Sequence, residues 1–169
     1  MSQKNTSANT SINKNKMPAI YEKAVKCGFL KEKMVVLDYG CGKYTENLQR
    51  YIIEKGSFFV GYDKYNLSEP YNNMALRLGI LVGYDLVLCS NVLNVIDDDE
   101  EMKKVIRNCV DMTKTVALFT VYENKKNGKG EQTKEDCYQR NEPIEYYEKV
   151  ISDMCYKVKK VSGMLVVSK

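Results

Sequence analysis

Apolar residues along this chain recur with two different periods, and the alternation between the periods sets the expected elements. Residues 1–16 (MSQKNTSANTSINKNK) show neither period and read as a flexible arm ahead of a single domain over 17–169. Pro18 suits a first helical turn, and Ile20, Ala24, Val25 and Cys27 carry a helix on to Gly28. Met34–Leu37 is a continuous apolar run, as in a strand buried on both faces. A helix over Thr45–Lys55 turns Leu48, Tyr51 and Ile52 inward and closes at Gly56. Ser57–Tyr62 is a second strand, and within 64–83 the stretch Met74–Val82 fits a helix better than a strand. Asp85–Cys89 reads as a third strand, Asp98–Met112 as an amphipathic helix and Val116–Tyr122 as a fourth strand. Glu123–Gln139 is polar, holds glycines, shows no core pattern and is expected to be a loop. Glu145–Cys155 forms a helix, and Val158–Val161 with Met164–Ser168 form a hairpin turning at Ser162-Gly163.

Strands that alternate with helices imply parallel pairing through right-handed crossovers. The fold class is therefore α/β, a Rossmann-like three-layer sandwich. Its sheet is mostly parallel, with an antiparallel edge at the C-terminus.

Composition narrows the chemistry. The 169 residues make one ordinary domain, with 44% hydrophobic and 28% charged residues. No run approaches the ~18 apolar residues of a membrane span, the N-terminus has no signal-peptide core, and no arginine precedes Arg50. A cytoplasmic location is expected. There is no histidine, so Ser-His and Cys-His nucleophilic chemistry is excluded and any general base is Asp, Glu, Lys, Tyr, Cys or water. Six cysteines at 27, 41, 89, 109, 137 and 155 form no C-x-x-C pair, so reduced thiols and no metal site are expected. The formal charge of +4 permits an acidic partner without requiring one.

The stretch V35-V-L-D-Y-G-C-G-K-Y-T-E-N-L48 passes from strand through two glycines into helix. Ligands of doubly wound sheets lie at such turns, where the backbone must bend and approach closely. A dinucleotide fingerprint needs a third glycine where Thr45 stands, and its diphosphate would meet the carboxylate of Asp38. At ~4 Å and an effective dielectric of ~20 that repulsion is about 4 kcal/mol. A phosphate-free nucleoside carrying positive charge, as S-adenosylmethionine does, turns the same acid into an attraction. Asp63 ends the second strand about 20 residues after the turn, the place for an acid that accepts from ribose hydroxyls.

Three blocks, D38-Y-G-C-G-K, G61-Y-D-K-Y and Y84-D-L-V-L-C-S-N-V-L-N-V-I96, together resemble class I S-adenosylmethionine-dependent methyltransferases. Within that family the chain is most similar to a bacterial and phage branch that includes methyltransferases associated with DNA phosphorothioation, with Y138-Q-R-N141 as a weaker fourth block. The resemblance implies Asp38, Gly40 and Gly42 at the methionine end, Asp63 at the ribose, and Ser90 and Asn91 beside the methyl group. Tyr39, Cys41 and Lys64 stand within the same blocks as further cofactor-binding candidates. Three departures accompany the match: Tyr44 replaces a third glycine, the family's third strand is reduced within 64–83, and D111-M-T-K replaces a Pro-Gly-Gly.

The acceptor is less legible. The place of an Asn/Asp-Pro-Pro-aromatic block reads Ser90-Asn91-Val92-Leu93, and no proline precedes a cysteine, so two nucleic-acid-methylation signatures are absent. Asn91, Tyr122, Gln139 and Arg140 are the catalytic candidates, and Asn94 is expected to cap or turn the chain before Asp97–Glu101. The four lysines of K125-K-N-G-K-G-E-Q-T-K134 form a lid, a nucleic-acid contact or a plain solvated loop. Two functions stay open: a methyltransferase acting on a small molecule or a nucleic-acid-linked group, or a non-catalytic cofactor-binding module of a phage or defence system.

Overall fold

Consecutive residues of the strand Val35–Tyr39 (β1) are buried on opposite sides, Val36 among one group of apolar side chains and Leu37 among another. That is why the run is apolar without alternation: both faces of the sheet are covered. The computed structural model describes residues 17–123, 125–134 and 137–169. The arm expected over 1–16 lies outside them.

In chain order the helix Ala19–Lys26 (α1) leads to β1, then Glu46–Glu54 (α2), Phe58–Tyr62 (β2), Glu69–Leu81 (α3) and Tyr84–Ser90 (β3). A short 3-10 turn at Leu93–Val95 precedes Asp99–Met112 (α4) and Thr113–Thr120 (β4). Next come Glu131–Lys134 (β5), Cys137–Gln139 (β6), Ile144–Asp153 (α5), Lys157–Val161 (β7) and Met164–Ser168 (β8). Six strands form one sheet in the order β2-β1-β3-β4-β8-β7. β2, β1, β3 and β4 run parallel, while β8 and β7 pair antiparallel at the edge.

One face is packed by α1 and α2 through Ile20, Tyr21, Leu48 and Ile52, the other by α4 and α5 through Met102, Ile106, Tyr147 and Ile151. β1 connects outward to β2, and β2 then returns past β1 to β3. Right-handed crossovers in opposite directions put α2 and α3 on opposite faces, and the reversal leaves a crevice at the carboxyl ends of β1 and β3. The chain turns back after two strands, so β2 itself is the edge where a third strand would otherwise lie.

Three segments differ from the sequence reading. α4 runs into β4 with no loop, Thr113 ending the helix and opening the strand, so β4 starts at Thr113 rather than Val116. Residues 64–83, ambiguous by pattern, hold α3. Within the expected loop 123–139, β5 and β6 pair antiparallel through Glu131↔Gln139 and Gln132↔Tyr138. That hairpin escapes a hydrophobic pattern because polar residues anchor it, as the site below explains. The terminal hairpin turns at Ser162 and Gly163, both at positive φ (52° and 72°), as a two-residue turn between twisted strands requires.

Candidate functional site

Alternation along β1 sends Asp38 to the same face as Val36, toward α1. There the Tyr21 hydroxyl donates to Asp38 Oδ2 at 2.5 Å. Asp38 is 2% exposed. Burial raises its carboxyl to about 7, the tyrosine hydrogen bond opposes the rise, and the charge of Asp63 adds to it. Burial and the neighbouring Asp38 in turn push the Tyr21 phenol up. Tyr21 carried no motif; its signal was its place beside Ile20 and Ala24 on the inward stripe of α1.

The glycine turn is held by the next strand. Gly40 and Cys41 N–H donate to the Tyr62 carbonyl at 2.7 and 3.1 Å, and Gly42 N–H donates to Asp63 Oδ2 at 2.8 Å. Gly40 and Gly42 both have positive φ, 82° and 74°. Their missing side chains differ in meaning. A Cβ on Gly40 would sit 2.3 Å from Val92 Cγ2, so that glycine admits the loop after β3, whereas a Cβ on Gly42 meets nothing within 4 Å. Open space beside the turn therefore lies at Gly42.

Asp63, 7% exposed, is bound into its own loop. Its Oδ1 accepts from Tyr65 N–H, Asn66 N–H and Asn66 Nδ2 at 2.9, 3.0 and 2.8 Å. Asn72 of α3 locks the backbone, accepting from Asp63 N–H at 3.1 Å and donating to the Asp63 carbonyl at 2.8 Å. Among the described residues four donors reach this carboxylate, three on Oδ1 and one on Oδ2, so Oδ2 is the less crowded oxygen. Asp38 and Asp63 thus flank the turn as two buried acids.

The remaining expected residues divide. Tyr39 points to the opposite face, stacked on Tyr62 at 4.4 Å and receiving a bond from Asn108, so only its backbone reaches the turn. Lys64 Nζ faces Glu101 at 3.7 Å rather than the acids. Burial, then the charges of Asp38 and Asp63, raise the Cys41 thiol, and all six cysteines are free. Ser90 Oγ lies 3.0 Å from Thr120 Oγ1 at the ends of β3 and β4. Asn91 follows at φ 57°, exposed, its N–H on the Thr120 carbonyl at 2.8 Å. Tyr122 is 57% exposed at the same end of the sheet.

Gln139 and Arg140 are occupied within the chain. Gln139 Oε1 accepts from Asn94 Nδ2 at 3.1 Å, and its Nε2 donates to the Tyr122 carbonyl at 3.2 Å. Arg140 donates from Nε to the Ile96 carbonyl and from a terminal nitrogen to the Asp97 carbonyl at 3.0 Å, and pairs with Asp99 at 2.7 Å. Asn94 lies in the 3-10 turn Leu93–Val95, as the turn alternative has it, and does not cap α4; buried, with its carbonyl accepting from Arg140 N–H at 2.9 Å, it ties the end of β6 to the loop after β3. Asp98 supplies the cap, accepting from Glu101 N–H at 2.7 Å. In the lysine loop, Lys125 pairs with Glu131 at 2.6 Å and Lys126 with Glu123 at 3.2 Å. Among the described residues no three acidic or cysteine side chains gather as a metal site needs, and no helix is long and apolar enough to cross a membrane.

Solved structures share this architecture. The Burkholderia thailandensis 1,6-didemethyltoxoflavin-N1-methyltransferase, solved with S-adenosylhomocysteine, superposes with TM-score 0.63 over 89% of this chain and 75% of its own, at 15% identity. The fold is that of class I methyltransferases. An Archaeoglobus fulgidus S-adenosylmethionine-dependent methyltransferase matches with TM-score 0.60 over 87% of this chain and 71% of its own, at 16% identity. A Rhodobacter sphaeroides structure described as a zinc-dependent alcohol dehydrogenase matches with TM-score 0.60 over 89% of each chain, at 10% identity. At such identities the likeness establishes architecture and not activity. No protein-family model matches the chain, and no curated protein matches it in sequence.

Proposed function

We propose that this chain is an S-adenosylmethionine-dependent methyltransferase acting on a small molecule. The observation that carries the reading is the buried acid pair. Asp38 and Asp63 flank a glycine turn, and among the described residues the environment of Asp38 is set by burial, Tyr21 and Asp63, with no cationic side chain contributing. Two carboxylates held this way suit a ligand that brings positive charge and no phosphate, and disfavour a diphosphate. The fold supports the same assignment, as does the cofactor product bound in one structure of that fold.

In this reading Asp38 answers the positive charge, Gly42 leaves room for the methionine end, and Asp63 Oδ2, the less crowded oxygen, receives a ribose hydroxyl. When bound, the cofactor supplies a methyl group already activated for in-line displacement, so alignment and water exclusion serve where a general base is lacking. Asn91 and Tyr122, both exposed at the mouth, are the residues that meet the acceptor. A small acceptor is favoured over a nucleic acid because Lys125 and Lys126 are neutralised by acids of their own loop. The finer likeness to the phage and phosphorothioation branch rests on the sequence blocks alone.

Transfer of tritium from methyl-labelled cofactor into small-molecule extracts, nucleic acid and protein is the test. Label entering the small-molecule pool supports the proposal; label entering only nucleic acid replaces its acceptor. The engagement of Gln139 and Arg140 within the fold favours a second reading, a non-catalytic cofactor-binding module. Tight binding with no label in any pool selects that one.

A further inference from the structure

Because the chain turns back early, the free edge of β2 and the outer side of α3 have no neighbour among the described residues. α3 buries Asn72, Ala75 and Gly79, and its opposite side carries Met74, Ile80 and Leu81, the last two 76% and 81% exposed. Register puts Phe58, at the start of the edge strand, at the same end as the C-terminus of α3, and it too is largely exposed. Along this outer side lies an open depression of ≈ 680 Å³ lined by side chains of α3 alone, among them Glu69, Met74, Arg77, Leu78 and Leu81. Scattered exposed apolar residues are ordinary, but several large ones on one unpaired edge mark a contact surface.

The charges indicate what covers it. Glu69 and Arg77 both line the depression, eight residues or about 12 Å apart along the helix. No ion pair among the described residues involves either. An acid and a cation on one exposed face are self-complementary under a two-fold axis passing near Asn73, midway between them. In an antiparallel pair of α3 helices crossing there, Arg77 of each copy faces Glu69 of the other. Met74 then meets its own mate beside the axis, and Leu81 reaches toward the exposed ring of Tyr65. The segment 1–16 is a poor alternative cover, with apolar side chains only at Met1, Ala8 and Ile12.

We propose that the outer face of α3, with the adjoining edge of β2, is the two-fold interface of a homodimer of this chain. Sedimentation velocity on the full chain over a concentration series then shows a species of twice the 19.4 kDa chain mass. Arg77→Glu sets like charges against each other twice across the axis and weakens self-association by about tenfold or more. Glu69→Arg does the same, and the double exchange Glu69→Arg/Arg77→Glu restores the wild-type constant to within about threefold. These positions are exposed, so thermal melts of the isolated species stay near wild type. A chain that stays monomeric throughout overturns the proposal, even if it sediments with lipid vesicles or captures another protein. So does a dimer indifferent to Arg77→Glu, or one that the double exchange fails to restore.

Discussion

Replacing Tyr21 by Phe tests the coupling between α1 and the acid pair without touching the glycine turn. Asp38 rises from the ordinary carboxylate range to about 7, so ionising it in the free protein costs about 4 kcal/mol more than in water, at 1.36 kcal/mol per unit. A cationic ligand binds the ionised form. Cofactor affinity is therefore expected to rise about tenfold per pH unit below 7 and to level above it until the ligand's own ammonium deprotonates, with close to one proton released on binding at acidic pH. The Tyr21 hydroxyl opposes the rise by donating to the carboxylate, and such a bond to a charged group contributes about 1.5–3 kcal/mol. Without it the Asp38 midpoint moves up by about one to two units, and affinity at pH 7 falls by roughly fivefold to fiftyfold. The ratio of the two affinities returns toward one by about pH 10, where Asp38 is ionised in both proteins, while loss of the ligand's ammonium lowers both alike. Calorimetric titration with S-adenosylhomocysteine from about pH 5 to about pH 10, in buffers of different ionisation enthalpy, reads both affinity and proton release. An affinity flat across that range, or a Tyr21→Phe loss that is the same at every pH, refutes the linkage.

Other outcomes follow from the same geometry. Because the folded protein holds Asp38 with a raised midpoint, its contribution to stability is fully present below about pH 4 and is lost as pH climbs through about 7. Asp38→Asn flattens that slope in thermal melts of the ligand-free protein; a slope that persists removes Asp38 as its source. Gly40→Ala drives a methyl into Val92 at positive φ and costs about 2–4 kcal/mol in urea unfolding, whereas Gly42→Ala, with only the φ to resist, costs about 1 kcal/mol. The reverse order contradicts the assignment of open space to Gly42. Arg140→Lys loses the fork that spans Ile96, Asp97 and Asp99 and destabilises by about 2–3 kcal/mol, so stability close to wild type shows that the fork holds nothing. Tyr122→Phe leaves unfolding within about 0.5 kcal/mol and changes acceptor turnover, and an unchanged turnover removes its hydroxyl from the acceptor site.

Much of this architecture can be read along the chain because its signals are local. The doubly buried β1, the glycine turn and the Ser162-Gly163 hairpin each announce themselves within a few residues. Asp63 is legible through its distance from the turn. What escapes the sequence is tertiary pairing without a pattern. Tyr21 reaches Asp38 across 17 residues of chain. The β5–β6 hairpin has little apolar alternation because Gln139 and Arg140 hold it by hydrogen bonds to Asn94, Ile96 and Asp97. Those same bonds engage, within the fold, two side chains whose chemistry alone suggests catalysis. The boundary at Thr113 was missed because Asp111–Thr115 contains no glycine or proline to mark a break, and the helix simply becomes a strand. Val92 against Gly40 adds a packing reason for a glycine that the family resemblance places at the methionine end.

The claim beneath all of this is that two buried acids beside a glycine turn hold a phosphate-free cationic nucleoside. Equilibrium dialysis of the full chain against tritiated S-adenosylmethionine, with S-adenosylhomocysteine and NADH as competitors, tests it most directly. The account predicts saturable binding that S-adenosylhomocysteine displaces, that NADH leaves alone, and that Asp38→Ala and Asp63→Ala each abolish. No saturable binding, or displacement by NADH, contradicts it.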